Sequence, residues 1–198
     1  MNEVVRLPDF DRKTASTDFR AAMRQLAGGV SVITAGQGAE ITGMTVTSVS
    51  SLSTDPPSLI VSVNRSSSSW QVLKRHPLFG VNFLNGDQVD VAERFTGKDG
   101  LKGAERFTGA VWAMRPSGVR LLAGALAALE CEAEDVIERH SHAIIIGRVL
   151  HVRLSQHSAA LAYWQGGYVA IDRGDDMARL AEVSVPAAGA VHERGWSR

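Results

Sequence analysis

The run Gly43-Met-Thr-Val-Thr-Ser-Val-Ser-Ser-Leu-Ser-Thr-Asp-Pro-Pro57 crowds small hydroxyl side chains between a glycine and a proline pair. Ser and Thr offer donors and acceptors, and their small size lets a ligand come close to backbone N–H groups. Such a surface suits a phosphate or a flat polar heterocycle. The same residues also suit a polar strand edge followed by a loop, since Thr and Val favour strands and Asp55-Pro56-Pro57 marks a turn. What borders the run tips the balance. Upstream, Val30-Ser-Val-Ile-Thr34 reads as a strand, and Gly36-Gln-Gly38 as the tight turn that leads back through Ile41 into the run. Downstream, Ser58-Leu-Ile-Val-Ser-Val63 is short, β-branched and apolar, which fits a buried strand. It empties into Asn64-Arg-Ser-Ser-Ser-Ser69, a second small polar cluster at the head of a helix over Trp70–His76 that Pro77 stops. Free N–H groups and the positive dipole end at such a helix start can hold an anion. Two hydroxyl-rich stretches leaving adjacent strands point to a shared phosphate or ring site.

Farther out, Ser16-Thr17-Asp18 offers caps for a helix carrying Phe19, Ala22, Met23 and Leu26 at helical spacing, which Gly28-Gly29 ends. Phe79–Leu84 is a further strand, and Asp87 is the expected cap of a helix over Gln88–Phe95. Residues 96–109 hold four glycines and read as a mobile loop beside the site, or as an ordered surface connection. Glu105-Arg-Phe-Thr-Gly109 echoes Glu93-Arg-Phe-Thr-Gly97, too briefly to define a repeat. The remaining signals are mostly β: Val119–Leu122, 129–137, a hairpin turn over Glu138–His142, Ala143–Val152, and a strand pair over Leu161–Ile171 broken at Gly166-Gly167. Ala123–Ala128 has helical propensity and remains open. Many short strands with a few inserted helices indicate a mainly β, antiparallel barrel or sandwich. No Gly-x-Gly-x-x-Gly or Walker loop follows a strand, so a Rossmann or P-loop site is not expected.

With 198 residues and 44% hydrophobic composition the chain can bury a substantial core. Residues 1–15 read as an arm, 16–172 as one domain and 173–198 as a tail rich in Ala, Gly and charge. Lys plus Arg and Asp plus Glu balance at 21 each, which disfavours a nucleic-acid binder. The single Cys131 sits in an alternating strand-like context and reads as a buried, inert thiol. His140 and His142 lack companion ligands for zinc. Neither a signal peptide nor an apolar stretch long enough to span a bilayer is evident, and a cytoplasmic protein is expected.

Taken in order from Phe19 to Asp172, these segments resemble the flavin reductase family with the FMN-binding split-barrel fold, the reductase partners of two-component flavin-dependent monooxygenases. The carriers include Gly29-Val-Ser-Val-Ile-Thr34, Gly43-Met-Thr through Asp55-Pro-Pro57, Val63-Asn-Arg-Ser-Ser-Ser-Ser-Trp70, Phe79–Leu84, Ala92-Glu-Arg-Phe95, Gly124–Cys131, His142 to Gly147-Arg-Val149 and Leu161–Tyr168. The resemblance implies an antiparallel split β-barrel with peripheral helices. It also implies hydride transfer from NADH or NADPH to FMN or FAD, a homodimer, and a monooxygenase that receives reduced flavin. By the same resemblance, Thr45, Val46, Thr47, Ser48, Ser50 and Ser51 contact the ring and ribityl chain. Ser62, Val63 and Asn64 lie alongside, Ser67, Ser68 and Ser69 hold the phosphate, Phe95 closes one side, and Tyr168 contributes to the cofactor site. Family members usually carry Gly-Asp-His ahead of the Gly-Arg-Val strand, with the histidine near the nicotinamide. Here the stretch is His140-Ser141-His142, so His142 is the expected catalytic-site histidine while the Gly and Asp are missing. The competing reading is a non-catalytic split barrel that carries or senses flavin or haem.

Overall fold

A computed structural model describes residues 15–156, 159–172 and 174. The arm and tail that the sequence sets off lie outside the described residues, apart from Ala15 and Gly174. Helix α1 (Ala15–Met23) is followed by β1 (Gly28–Gly29), β2 (Ser31–Ala35), β3 (Thr42–Val46), β4 (Val49–Thr54) and β5 (Pro57–Asn64). Then come α2 (Ser68–Arg75), β6 (Leu78–Phe83), α3 (Val89–Arg94), β7 (Trp112–Met114) and β8 (Arg120–Leu122). The long strands β9 (Ala127–Arg139) and β10 (His142–Leu154) and the hairpin β11 (Ala160–Trp164) and β12 (Gly167–Ile171) complete the order. Two short 3-10 helices, Gly38–Glu40 and Gly103–Phe107, lie between strands.

Seven strands form one antiparallel sheet in the order β3-β2-β6-β9-β10-β5-β4. Strands β3 and β4 are consecutive in sequence yet occupy opposite edges, joined only by Thr47 and Ser48. Three residue steps reach no more than about 11 Å, whereas the edges of a flat seven-stranded sheet stand about 29 Å apart. The sheet must therefore curl until its edges meet, and because β3 and β4 do not pair, the barrel stays split along that seam. This is the antiparallel split barrel expected from the sequence.

The barrel interior is filled by alternate residues of the inward face: Ile33, Met44, Leu59, Val61, Val63, Phe79, Val81, Leu129, Cys131 and Ile145. A second core covers the outer side, where Val32, Leu84, Val91, Ala92, Phe95, Phe107, Leu121 and Leu161 meet. Strand β2 is thus buried on both faces, which explains why it reads as an almost continuous apolar run. Burial, then the neighbouring Glu130, pushes the Cys131 thiol up to about 12, so at neutral pH it is a protonated packing group.

Two local expectations are corrected and one open reading is resolved. Gly28-Gly29 does not terminate α1; the helix stops at Met23, the Leu26 N–H donates to the Met23 carbonyl in a tighter turn, and the two glycines pair with Ala162 and Tyr163 of β11. The residue that caps α3 is Gln88 rather than Asp87, whose N–H is taken by Asn85 Oδ1 at 2.8 Å. Ala127 and Ala128 begin β9, because pairing with Phe83 and Asn82 outweighs alanine's helical propensity.

Candidate functional site

The seam opens into a cavity of about 480 Å³ lined by Thr45, Val46, Thr47, Ser48, Ser62, Asn64, Ser67, Ser68, Ser69, Phe95 and His142, together with Met44, Thr96 and Arg106. Its floor is the crossing between the two barrel edges. Gly43 enters it so tightly against α3 that a Cβ there would stand 2.6 Å from Phe95 Cε1 and from the Ile33 carbonyl oxygen. The Thr45 N–H donates to the Phe95 carbonyl at 3.2 Å and its hydroxyl to the Ala92 carbonyl at 2.6 Å, so this threonine fixes β3 to α3. The Ser48 hydroxyl donates to the Ser62 carbonyl at 2.7 Å, tying the crossing to β5, the neighbour of β4. Thr47 and Ser48 themselves stand outside both strand ladders.

At one end of the cavity lies the start of α2. Ser67 is the N-cap and accepts from the Trp70 N–H at 3.2 Å. Ser69, fully buried, shares a 2.8 Å hydrogen bond with Thr42 Oγ1 and donates to the Gly43 carbonyl at 2.9 Å. Asn64 Oδ1 accepts from both the N–H and the hydroxyl of Ser66 at 2.9 Å, which shapes the chain entering the helix. Capping of this kind orders the first turn and presents its remaining N–H groups together.

His142 opens β10 opposite Asn64 of β5, and its Nδ1 lies 2.9 Å from Ser141 Oγ, which leaves Nε2 available to a ligand. The preceding His140 takes φ +48, a left-handed conformation that glycine adopts most readily and that histidine tolerates better than most residues. Arg65 secures the turn by donating its N–H to the Ser141 carbonyl and Nη1 to the His140 carbonyl, both at 2.9 Å. These two bonds hold the corner at His140 without a glycine, and Ser141 Oγ is the partner of His142 Nδ1.

Of residues 96–109, Arg106 and Phe107 are buried and the rest lie at or near the surface. The two Glu-Arg-Phe-Thr-Gly stretches adopt the same turn: Thr96 Oγ1 donates to the Glu93 carbonyl and Thr108 Oγ1 to the Glu105 carbonyl. Gly97 and Gly109 share φ +81, and a Cβ on either would approach the arginine of the other copy within 3.3 Å. Phe95 and Phe107 meet edge to face at 5.1 Å, with Trp112 against both. The arginines differ. Arg94 is a surface group bonded to Thr108 Oγ1 at 2.9 Å, whereas Arg106 is buried, with Nη1 2.5 Å from the Gly43 carbonyl oxygen and Nε 2.9 Å from that of Leu101. Burial lowers the pKa of its guanidinium from the usual value.

Four residues expected at the site lie elsewhere. Ser50 and Ser51 are exposed on β4 and do not line the cavity. Val63 points into the barrel core with 1% exposure. Tyr168 lines an adjoining groove with Tyr163, Lys98 and the far side of Thr45–Thr47. Missing from the sequence reading are Met44, Thr96 and Arg106; the echoed pentapeptide marks the segment but does not single out Arg106 from Arg94. Among the described residues no group of three or more His, Cys, Asp or Glu could hold a metal ion, and no helix is long and apolar enough to cross a membrane.

The fold is a split barrel whose seam carries a hydroxyl-lined cavity, with the start of α2 and the buried Arg106 among its walls. Residues 23–172 match the flavin reductase like domain, and the chain belongs to that family. It is 34% identical over 159 residues to an FMN reductase (NADH) of Stutzerimonas stutzeri, spanning 80% of this chain and 90% of that one. It is 35% identical over 155 residues to the reductase component of an FADH(2)-dependent resorcinol hydroxylase of a Rhizobium species, spanning 77% and 86%. The fold superposes with a TM-score of 0.73 on an NADH:FAD oxidoreductase of Streptomyces globisporus in complex with NAD and FAD fragments, at 26% identity over 84% of this chain and 98% of that one.

Proposed function

We propose that the seam cavity binds the flavin and that this chain passes hydride from a reduced nicotinamide to FMN or FAD, supplying reduced flavin to a monooxygenase. The observation that carries the reading is the convergence on one cavity of the Thr45–Ser48 crossing, the serine-capped start of α2 and His142. A flavin held there would supply the hydride-accepting ring, and the residues of the cavity would serve to orient it against the nicotinamide and exclude water, with no general acid or base required. In this reading Ser67, Ser68 and Ser69 receive the phosphate, while Thr45–Ser48, Ser62, Asn64 and Phe95 surround the ring and its side chain. The crossing at Thr47 and Ser48 lies outside the ladders, and its N–H groups suit the carbonyl edge on which charge develops. Residues 16–172 form the flavin-binding unit, and a cytoplasmic setting accords with both nucleotide substrates. Mixing the protein with each flavin and each reduced nicotinamide should give flavin-dependent loss of nicotinamide absorbance; none with any pair contradicts the proposal and leaves a carrier or sensor.

His142 is assigned to positioning the nicotinamide, through the ring nitrogen that Ser141 leaves available. His142→Ala is expected to raise KM for the nicotinamide about tenfold, the scale of one hydrogen bond to a positioned ligand, with KM for flavin nearly unchanged. Equal effects on both would remove His142 from that role.

The chain forms a homodimer in this reading, because β9 and β10 expose the apolar residues Ile137, Ile144, Leu150 and Val152, with Ile137 directly opposite Ile144. Apolar residues so grouped favour burial against an identical face. Light scattering on the eluting protein should give the mass of two chains, and Ile144→Arg that of one; a wild-type protein at the mass of one chain contradicts it.

A further inference from the structure

We infer that Arg106 makes the cavity selective for a phosphorylated flavin over riboflavin, its guanidinium meeting the phosphate beside the first turn of α2. The inference rests on the flavin reading of the cavity and adds the group that recognises charge. Arg106 lines the cavity at 8% exposure, and no carboxylate of the described residues lies within ion-pair distance of it. Its protein partners are two neutral carbonyls, those of Gly43 and Leu101. A guanidinium has five N–H donors in a fixed fork, so two carbonyls leave donors unused and the charge uncompensated. Burying an unpaired cation is costly unless an anion meets it.

The place where an anion would meet it is set by Gly43. Its carbonyl oxygen accepts from Arg106 and from the Ser69 hydroxyl alike, which holds the guanidinium within two hydrogen bonds of the α2 first turn. A buried cation, three serines and a helix N-terminus thus converge on one end of the cavity. Charge-assisted bonds to phosphate are the strong class of hydrogen bond. Riboflavin, lacking the phosphate, would leave Arg106 without a counter-charge. Arg94, in the same pentapeptide turn but on the surface and bonded to Thr108, provides an internal control for loss of a turn arginine.

Fluorescence titrations with FMN and with riboflavin test this on wild-type protein and on Arg106→Gln, Arg106→Lys and Arg94→Gln. Wild type is expected to bind FMN about ten- to a hundredfold more tightly than riboflavin. Arg106→Gln should reduce that preference to about threefold or less with riboflavin affinity unchanged. Arg106→Lys should retain part of the preference, and Arg94→Gln all of it. Independently of any variant, inorganic phosphate should weaken FMN binding to the wild type and leave riboflavin binding unaffected. An unchanged preference in Arg106→Gln, equal losses for both flavins, or indifference to phosphate would overturn the inference and leave Arg106 a loop fastener. Wild-type protein binding both flavins equally overturns this inference alone, whereas binding neither overturns the flavin reading beneath it.

Discussion

Ser48→Trp is expected to lower flavin affinity more than a hundredfold while leaving the fold intact. Ser48 is one of the two residues that carry the chain from one barrel edge to the other, and its side chain donates to the Ser62 carbonyl of β5. An indole there projects into the cavity that the same residue lines. The stability cost should stay near about 1 kcal/mol, the worth of one partly exposed hydrogen bond, because Ser48 belongs to neither core cluster. Flavin titration paired with a thermal melt separates the two effects. Affinity within about threefold of wild type would place the ring away from the crossing.

Phe95→Ala should produce the largest loss of stability, about 3–5 kcal/mol. Phe95 is 1% exposed and packs against Phe107 and Trp112 at 5.1 and 5.5 Å. Gly43 is shaped to it, since a Cβ at that glycine would collide with its ring. Truncation empties the junction between β3, α3 and the Gly103–Phe107 helix, and the neighbouring backbone, held by the Thr45 bonds to Ala92 and Phe95, cannot close the gap readily. For a chain of this size the melting temperature should fall by about 6–20 °C. Flavin binding should weaken as well, because the same ring forms one wall of the cavity. A fall below about 2 °C would mean the aromatic cluster is not a structural keystone, and Phe95→Leu should recover most of the loss.

The elements of the barrel were legible because their chemistry is local. The short apolar, β-branched run Ser58–Val63, the strand Phe79–Leu84, the glycines at 36, 38, 166 and 167, and Pro77 each mark an element or boundary that the folded chain respects. What the sequence did not reveal is that β3 and β4, neighbours along the chain, sit at opposite edges of the sheet. That arrangement depends on which strands pair at long range, and it is the reason the hydroxyl run divides. Thr45 to Ser48 line the cavity at the seam, while Ser50 and Ser51, equally rich in hydroxyls, are exposed on β4 beyond it. Val63 likewise shares its strand with Ser62 but faces the opposite way, into the core.

Arg106 was hidden for a different reason. Five echoed residues fall far short of a repeat unit that could bury its own face, yet the two copies fold into the same turn and clasp one another through Phe95 and Phe107. Nothing in the pentapeptide distinguishes the surface arginine from the buried one. The distinction arises only where Gly43 comes close enough to accept from Arg106 Nη1. The departure at His140-Ser141-His142 also becomes intelligible in three dimensions, since Arg65 holds the corner that a glycine would otherwise ease.

The central claim, that the seam of the split barrel is where flavin is reduced, is tested most directly by anaerobic mixing of the protein with equimolar flavin and excess NADH or NADPH, following the visible flavin absorbance. The account predicts rapid bleaching whose rate rises with protein concentration and is lost in Ser48→Trp. Bleaching no faster than in the protein-free mixture, or undiminished in Ser48→Trp, would contradict it.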